Sequence, residues 1–206
     1  MNGAPAIPTQ RYSLSFTTGA LLEREGALLA PHFLRRRDWR QVRDDAVSAN
    51  LLQARTHSSG VRLAREVAQR LAVLTDDELD LLMDATATER GQLMWVAACR
   101  RYAFIGEFAE EVVRERFLLL TPTLAYDDFD AFVRGKALWH PELEELKEST
   151  LKKLRAVVFR MLAQAGLLTD EGKLVPAVLS GRLVDVLDAR EPSDLQFFPT
   201  TQGGAR

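Results

Sequence analysis

From Thr88 to Leu120 the chain reads TERGQLMWVAACRRYAFIGEFAEEVVRERFLLL, a long and strongly apolar run at helical spacing. A segment this apolar has to be enclosed by the rest of the protein. It predicts a central core helix, or two helices divided near Gly106, ended by Thr121 and Pro122. Nearly every other segment also has helical period, and no strand-like alternation lasts more than a few residues, so the expected fold class is all-α, mainly helical. With 206 residues and 47% hydrophobic content there is ample material for a real core.

Local signals divide the remaining helices. Thr17 or Thr18 can cap a helix running to about Ala30, where Pro31 breaks or restarts it before HFLRRR. Asp38 can cap WRQVRDDAVSA, and Ser58 or Ser59 can cap GVRLAREVAQRLAVL, whose Leu63, Ala64, Val67, Leu71 and Leu74 share one face. Thr75 with Glu78 has the spacing of a capping box. AYDDFDAFVRGKA is a shorter helix, and HPELEELKE is a turn or two opened by Pro141. Ser149 or Thr150 can cap a last long helix that Gly166 ends. The expected organisation is a flexible tail over 1–10, a helical core region over 11–125, a C-terminal region over 126–199 and a second tail over 200–206. The two inner regions are also compatible with one compact domain.

Bulk charge says little about partners, since 27 basic residues face 29 acidic ones. Its distribution says more. Residues 11–70 hold 11 basic and 6 acidic side chains, 71–148 hold 8 and 17, and 149–182 hold 6 and 2. An acidic middle therefore lies between two basic regions.

The second basic region contains ESTLKKLRAVVFRMLAQAGLLTDEGKLVP, which has no acidic residue between Ser149 and Thr169. At about 100° per residue, Leu151, Leu154, Val157, Val158, Met161, Leu162 and Ala165 gather on one face, which is core. Lys152, Lys153, Arg160 and Gln164 lie opposite, with Ala156 and Ala163 between them. Long cationic arms alternating with small residues suit a phosphate backbone or a groove. Ser149 and Thr150 can add hydroxyls at the helix start, either to a phosphate or as ordinary caps. Arg155, and Lys173 beside a turn at Asp170–Gly172, complete this candidate set. The pieces around that turn predict a small C-terminal β-hairpin, kept short and at an edge by Pro176. A short helix, a turn, a basic helix and a hairpin follow the order of the latter part of a winged helix-turn-helix. Many helical proteins end this way without touching DNA, and solvated surface helices would carry the same charges.

The first basic region places Arg35, Arg36, Arg37, Arg40, Arg43, Arg62, Arg65 and Arg70 within 36 positions, a candidate phosphate track. Asp38, Asp44, Asp45 and Glu66 could equally pair with these arginines as salt bridges. Trp39 could stack on a base or be buried as core.

Motifs for catalysis are missing. There is no P-loop, dinucleotide fingerprint or nucleophile elbow, and His32, His57 and His140 lie far apart in sequence, so no metal, cofactor or enzymatic activity is expected. The acid pairs in YDDFD and TDDELD lie at helix starts, where they favour the dipole. The single cysteine, Cys99, excludes an intramolecular disulfide and reads as a small core residue. No charge-free run approaches a membrane span, and MNGAPAIPTQ lacks the regions of a signal peptide, which predicts a cytoplasmic protein.

RYSLSFTTGALLEREGALLA, SSGVRLAREVAQRLAVLTDDELDLL, VAACRRYAFIGEFAEEVVRERF, HPELEELKESTLKKLRAVVFRMLAQAGLL, LVPAVLSGRLVDVL and DLQFFP together span about Arg11 to Pro199. In content and order they resemble the BrxA family of bacteriophage-exclusion (BREX) defence systems. The resemblance implies a small, all-helical, non-enzymatic cytoplasmic protein, encoded with a methyltransferase and ATPase components. It also implies DNA binding and a likeness to the NusB antitermination factor, which brings RNA in as a second ligand. The family supplies no short contact motif, so the candidate residues rest on charge and helical face alone. The acidic middle departs from what a tight non-specific binder would show. It leaves open a scaffold that meets other BREX components through complementary charge.

Overall fold

A computed structural model of the chain describes residues 11–201. The tail expected over 1–10, and residues 202–206 of the other, lie outside the described residues. The helices are α1 Glu23–Arg36, α2 Trp39–Ser48, α3 His57–Leu71, α4 Asp76–Asp84, α5 Ala87–Arg101, α6 Ala103–Phe108, α7 Glu115–Leu118, α8 Tyr126–Ala137, α9 Pro141–Glu144, α10 Glu148–Gln164 and α11 Gly181–Asp188. A π-helical segment, Ala109–Arg114, joins α6 to α7, and a 3-10 turn covers Asp194–Phe197.

α5 is the centre. Every residue from Leu93 to Cys99 is buried, so this stretch shows no solvent face, and α1, α3, α4 and α10 pack around the helix. Each large apolar side chain enclosed this way contributes roughly 1.5–3 kcal/mol. Trp95 is fully buried, and its Nε1 donates to the Phe197 carbonyl at 2.9 Å, tying the C-terminal turn to the core.

The long apolar run does divide, at Tyr102 rather than at Gly106. Tyr102 leaves helical geometry at φ −126° and ψ 95°, and its buried hydroxyl donates to Glu66 at 2.8 Å. Gly106 has another task. A Cβ there would stand 3.1 Å from the Cys99 carbonyl oxygen and 3.2 Å from the Phe197 ring, so glycine permits α6 to press against the end of α5 and the last turn.

Capping signals were partly legible. Asp38 caps α2 through the amides of Arg40 and Gln41, and Thr75 with Glu78 forms the expected capping box. α3 begins slightly earlier than expected, with Thr56 as the cap and Ser59 completing its box. α1 differs more. It begins at Glu23 after a left-handed Leu22, without a side-chain cap from Thr17 or Thr18, and runs on through Pro31 to Arg36. A proline removes only one internal hydrogen bond of a helix, and here it follows buried Leu29 and Ala30, whose packing holds the helix together. α10 begins at Glu148 with Lys147 as its cap, so Ser149 and Thr150 are inside its first turn and do not cap it.

The end of α10 follows expectation. Gly166 has φ +72°, its N–H reaches the Ala163 carbonyl at 3.0 Å, and the Leu167 N–H reaches the Leu162 carbonyl at 2.9 Å. These two bonds make a Schellman motif.

The expected hairpin after Gly166 is reduced to isolated bridges, and no sheet forms among the described residues. Leu168 bridges Leu174, and Lys173 bridges Thr123, both antiparallel. Thr169 N–H meets the Lys173 carbonyl, Val175 N–H the Leu167 carbonyl, and Leu124 N–H the Gly172 carbonyl. The turn therefore leans on the chain just before α8. Among the described residues no helix is long and apolar enough to cross a membrane.

Candidate nucleic-acid interface

α10 has the two faces its sequence period predicts. Leu154, Val157, Val158, Met161, Leu162 and Ala165 are buried, while Lys152, Lys153, Ala156, Arg160, Ala163 and Gln164 are exposed. Lys153 and Arg160 have no carboxylate partner among the described residues. Lys152 is paired with Glu148 one turn earlier at 2.6 Å, and this contact holds the Glu148 carboxyl below its ordinary range. Ser149 is exposed and Thr150 half-buried at the helix start.

Arg155 is held differently. Its Nη1 donates to Asp130 of α8 at 2.5 Å, and its guanidinium covers the Tyr126 ring at 4.4 Å. It anchors α10 to α8. Lys173 is exposed on the turn, beside the C-terminal end of α10.

The N-terminal arginines form two groups. Arg35, Arg36 and Arg37 crowd the end of α1. Arg36 pairs with Asp45 at 3.2 Å and Arg37 with Asp76 at 2.6 Å, while Arg35 stands 3.4 Å from the His32 ring nitrogen. Trp39 is half-buried with its face stacked on Phe33 at 4.0 Å, so no base can use that side of the indole.

Arg43 and Arg65 come together across a groove of about 370 Å³ between α2 and α3. The Nε of Arg43 is buried there without a hydrogen-bond partner. Arg62 lines the adjoining groove with Thr17, Thr18 and Gln53. Arg40, Arg62 and Arg65 are exposed and have no carboxylate partner among the described residues.

Arg70 leaves the expected polar face. It is fully buried, its Nε donates to Glu66 at 2.8 Å, and its Nη1 donates to the Ala20 and Leu21 carbonyls. Position 70 lies between the arginine stripe and the core stripe of α3, and partners distant in sequence draw it inward. Desolvation, with the Glu66 charge next, pushes the neighbouring Tyr102 hydroxyl up to about 12.

A second buried network surrounds Arg100, which donates to Glu78, Asp194 and the Val73 carbonyl. Burial alone would raise the Glu78 carboxyl. The Arg100 bonds, the Thr75 amide and the Arg100 charge outweigh it and hold the group below its ordinary value. These cations are internal fasteners and leave the surface to the others. Among the described residues no group of three or more His, Cys, Asp or Glu is placed to hold a metal ion.

Sequence reading missed Arg101, whose Nη2 reaches Gln69 of α3 at 3.4 Å and so prolongs the Arg62–Arg65 stripe. Only the helical spacing of 62, 65 and 69 hinted at it.

The family model for BrxA matches residues 10–191. The BREX protein BrxA of Escherichia coli O9:H4 (strain HS) is 27% identical over 148 residues, 72% of this chain and 70% of that protein. The BREX protein BrxA of Paramagnetospirillum magneticum is 25% identical over 179 residues, 86% of this chain and 90% of that one. A crystal structure of an uncharacterized protein from Magnetospirillum magneticum superposes with a TM-score of 0.80 over 92% of this chain and 99% of its own, at 23% identity, which bears on the fold alone.

Proposed function

This chain belongs to the BrxA family, and we propose that it is a non-enzymatic, nucleic-acid-binding accessory protein of a BREX phage-defence system, with double-stranded DNA as its ligand. The observation that carries this reading is the outer face of α10. Lys153 and Arg160, exposed and without a carboxylate partner among the described residues, stand on either side of exposed Ala156, so a phosphate backbone can approach the helix closely.

The element order supports a winged helix-turn-helix as the reading unit. A bridged segment around Thr123, then α8, the single turn of α9, α10 and the returning turn at 167–175 follow that motif's order. In this arrangement α10 lies at a groove and Lys173 on the small wing. The α2–α3 arginines take phosphates further along the duplex.

Fluorescence anisotropy of labelled duplex DNA and matched RNA, at about 50 and 200 mM salt, tests the reading. Saturable duplex binding that weakens steeply with salt is expected, and the triple variant K152A/K153A/R160A should lose it while staying folded. A triple variant that binds as tightly as the parent removes α10 from the interface. RNA competing better than duplex of equal length would favour a NusB-like role instead.

A second reading, a scaffold that docks another BREX component, is favoured by the end of α7. Leu118, Leu119 and Leu120 are exposed there, Leu120 by 86%, within the acidic part of the chain. It predicts co-purification with such a component that survives nuclease treatment.

A further inference from the structure

The arginine stripe of α3 leads to a cleft that nothing in the reading so far uses. Arg62, Arg65 and Gln69 fall on one side of α3, and Arg101 extends from the end of α5 to Gln69. Arg101 also lines a cleft of about 500 Å³ that Arg11 and Trp139 share. Residues 11, 101 and 139 meet here because the N-terminal segment crosses the break between α5 and α6 and the loop after α8 closes the opposite wall.

The cleft has a stiff floor. The Tyr12 and His140 rings are stacked at 3.8 Å, the Tyr12 hydroxyl donates to Glu107 at 2.5 Å, and Glu142 accepts from the Tyr12 amide at 2.6 Å. Its four cations differ in availability. Lys136 is committed to Glu107 and Glu111, and Arg100 to Glu78 and Asp194. Arg101 faces the Tyr102 ring at 4.9 Å and Gln69, neither of which neutralises it. Arg11 has a side chain 73% exposed and pairs at 3.8 Å with Glu145, itself 74% exposed, so water screens this pair. Two guanidinium groups are thus available to an anion at the mouth.

Trp139 supplies the other half of the chemistry. It is 73% exposed, although an indole is among the side chains that gain most from being covered. Of the other two tryptophans, Trp95 lies in the core and Trp39 is half-buried with one face on Phe33. An accessible indole beside Arg101, which no carboxylate neutralises among the described residues, and Arg11, held only by a solvent-exposed pair, matches a ligand that is flat and apolar on one part and anionic on another. A nucleotide has that composition. A duplex keeps its base faces stacked within the helix, so the ligand must carry an unpaired base.

We propose that this cleft takes one unpaired nucleotide of a nucleic-acid strand, with its base on Trp139 and its phosphates on Arg11 and Arg101. This deepens the nucleic-acid reading and rests on it. The protein would then hold duplex along its basic faces and recognise the place where the strands part.

The test compares three probes by anisotropy: a blunt duplex, the same duplex with a short single-stranded overhang, and adenosine monophosphate. The parent should prefer the overhang over the blunt end by about 5- to 100-fold, the range that stacking one base supports. Trp139→Ala should abolish the preference and leave blunt-duplex affinity unchanged, and Trp139→Phe should restore part of it. Tryptophan emission should be quenched more by the overhang than by the blunt duplex in the parent, and that difference should vanish in Trp139→Ala. Equal affinity for overhang and blunt duplex, or a preference that survives Trp139→Ala, overturns this proposal while leaving duplex binding intact. A Trp139-dependent response to adenosine monophosphate without any overhang preference would assign the cleft to a free nucleotide and overturn the strand reading. Absence of binding to all three probes sinks both this inference and the proposed function.

Discussion

Arg155 of α10 donates to Asp130 of α8 across 2.5 Å, and the two side chains are only 17% and 24% exposed. Lys153 and Arg160, on the same helix, face water. Cations that look equivalent in sequence therefore do different work. Arg155→Ala should lower stability by about 1–2 kcal/mol, because it strips a partly buried carboxylate of its partner. K153A/R160A should leave the urea midpoint where it is and weaken duplex binding. An R155A protein as stable as the parent would mean that the ion pair is idle in solution and that Arg155 belongs with the contact residues.

The α3 stripe makes a separate contribution. Arg62 and Arg65 are exposed without carboxylate partners among the described residues, so each can neutralise a phosphate without first breaking an internal pair. R62A/R65A should weaken binding evenly across DNA sequences and reduce the slope of log affinity against log salt by about 1–2, close to one per lost phosphate contact. An unchanged slope would take this stripe out of the interface.

What sequence made legible follows from how local each signal is. The two faces of α10, the Asp38 cap and the Thr75–Glu78 box depend on residues within a turn or two of one another, and helical period reads them directly. The break at Tyr102 depends on Glu66, 36 positions away, and the burial of Arg100 on Asp194, 94 positions away. No local pattern distinguishes such a residue from a surface cation. The cleft is harder still, since Arg11, Arg101 and Trp139 become neighbours only after α5, α6 and α8 have packed. The short turn after Gly166 was placed correctly, but its pairing with Thr123 was not foreseen, because that partner lies on the far side of three helices, α8, α9 and α10.

The buried carboxylates fix the response to acid. Glu89 accepts from Arg182, Ser180 and the Thr86 amide, and Arg182 first, then Ser180, hold it well below its ordinary value of 4.5. Glu78 is lowered in the same direction by Arg100 against the opposing effect of burial. A folded-state value below the unfolded one means that this stabilisation is complete at neutral pH and is lost as pH falls below about 4.5. Urea midpoints should therefore drop steeply on the acid side. Glu89→Gln should cost about 1–2 kcal/mol at neutral pH, a figure kept small because Arg182 is partly exposed, and should show a shallower acid decline than the parent. Parallel declines in the two proteins would show that Glu89 does not contribute to the pH dependence.

Gly172 and Gly166 offer a matched pair for testing the turn after α10. Both have positive φ, +78° and +72°, so alanine at either site carries the left-handed penalty of about 1 kcal/mol. They differ in what surrounds them. A Cβ on Gly172 would lie 2.8 Å from the Leu124 carbonyl oxygen, whereas one on Gly166 meets nothing within 4 Å. Gly172→Ala should thus cost clearly more than Gly166→Ala, by about 1–2 kcal/mol, because the Leu124 N–H to Gly172 carbonyl bond at 2.8 Å must give way. If the turn is a wing, Gly172→Ala should also weaken duplex binding by displacing Lys173, and Lys173→Ala should reproduce that weakening without the loss of stability. Equal stability costs for the two glycines would mean that the contact with the segment before α8 does not hold the turn, and the winged arrangement would lose its support.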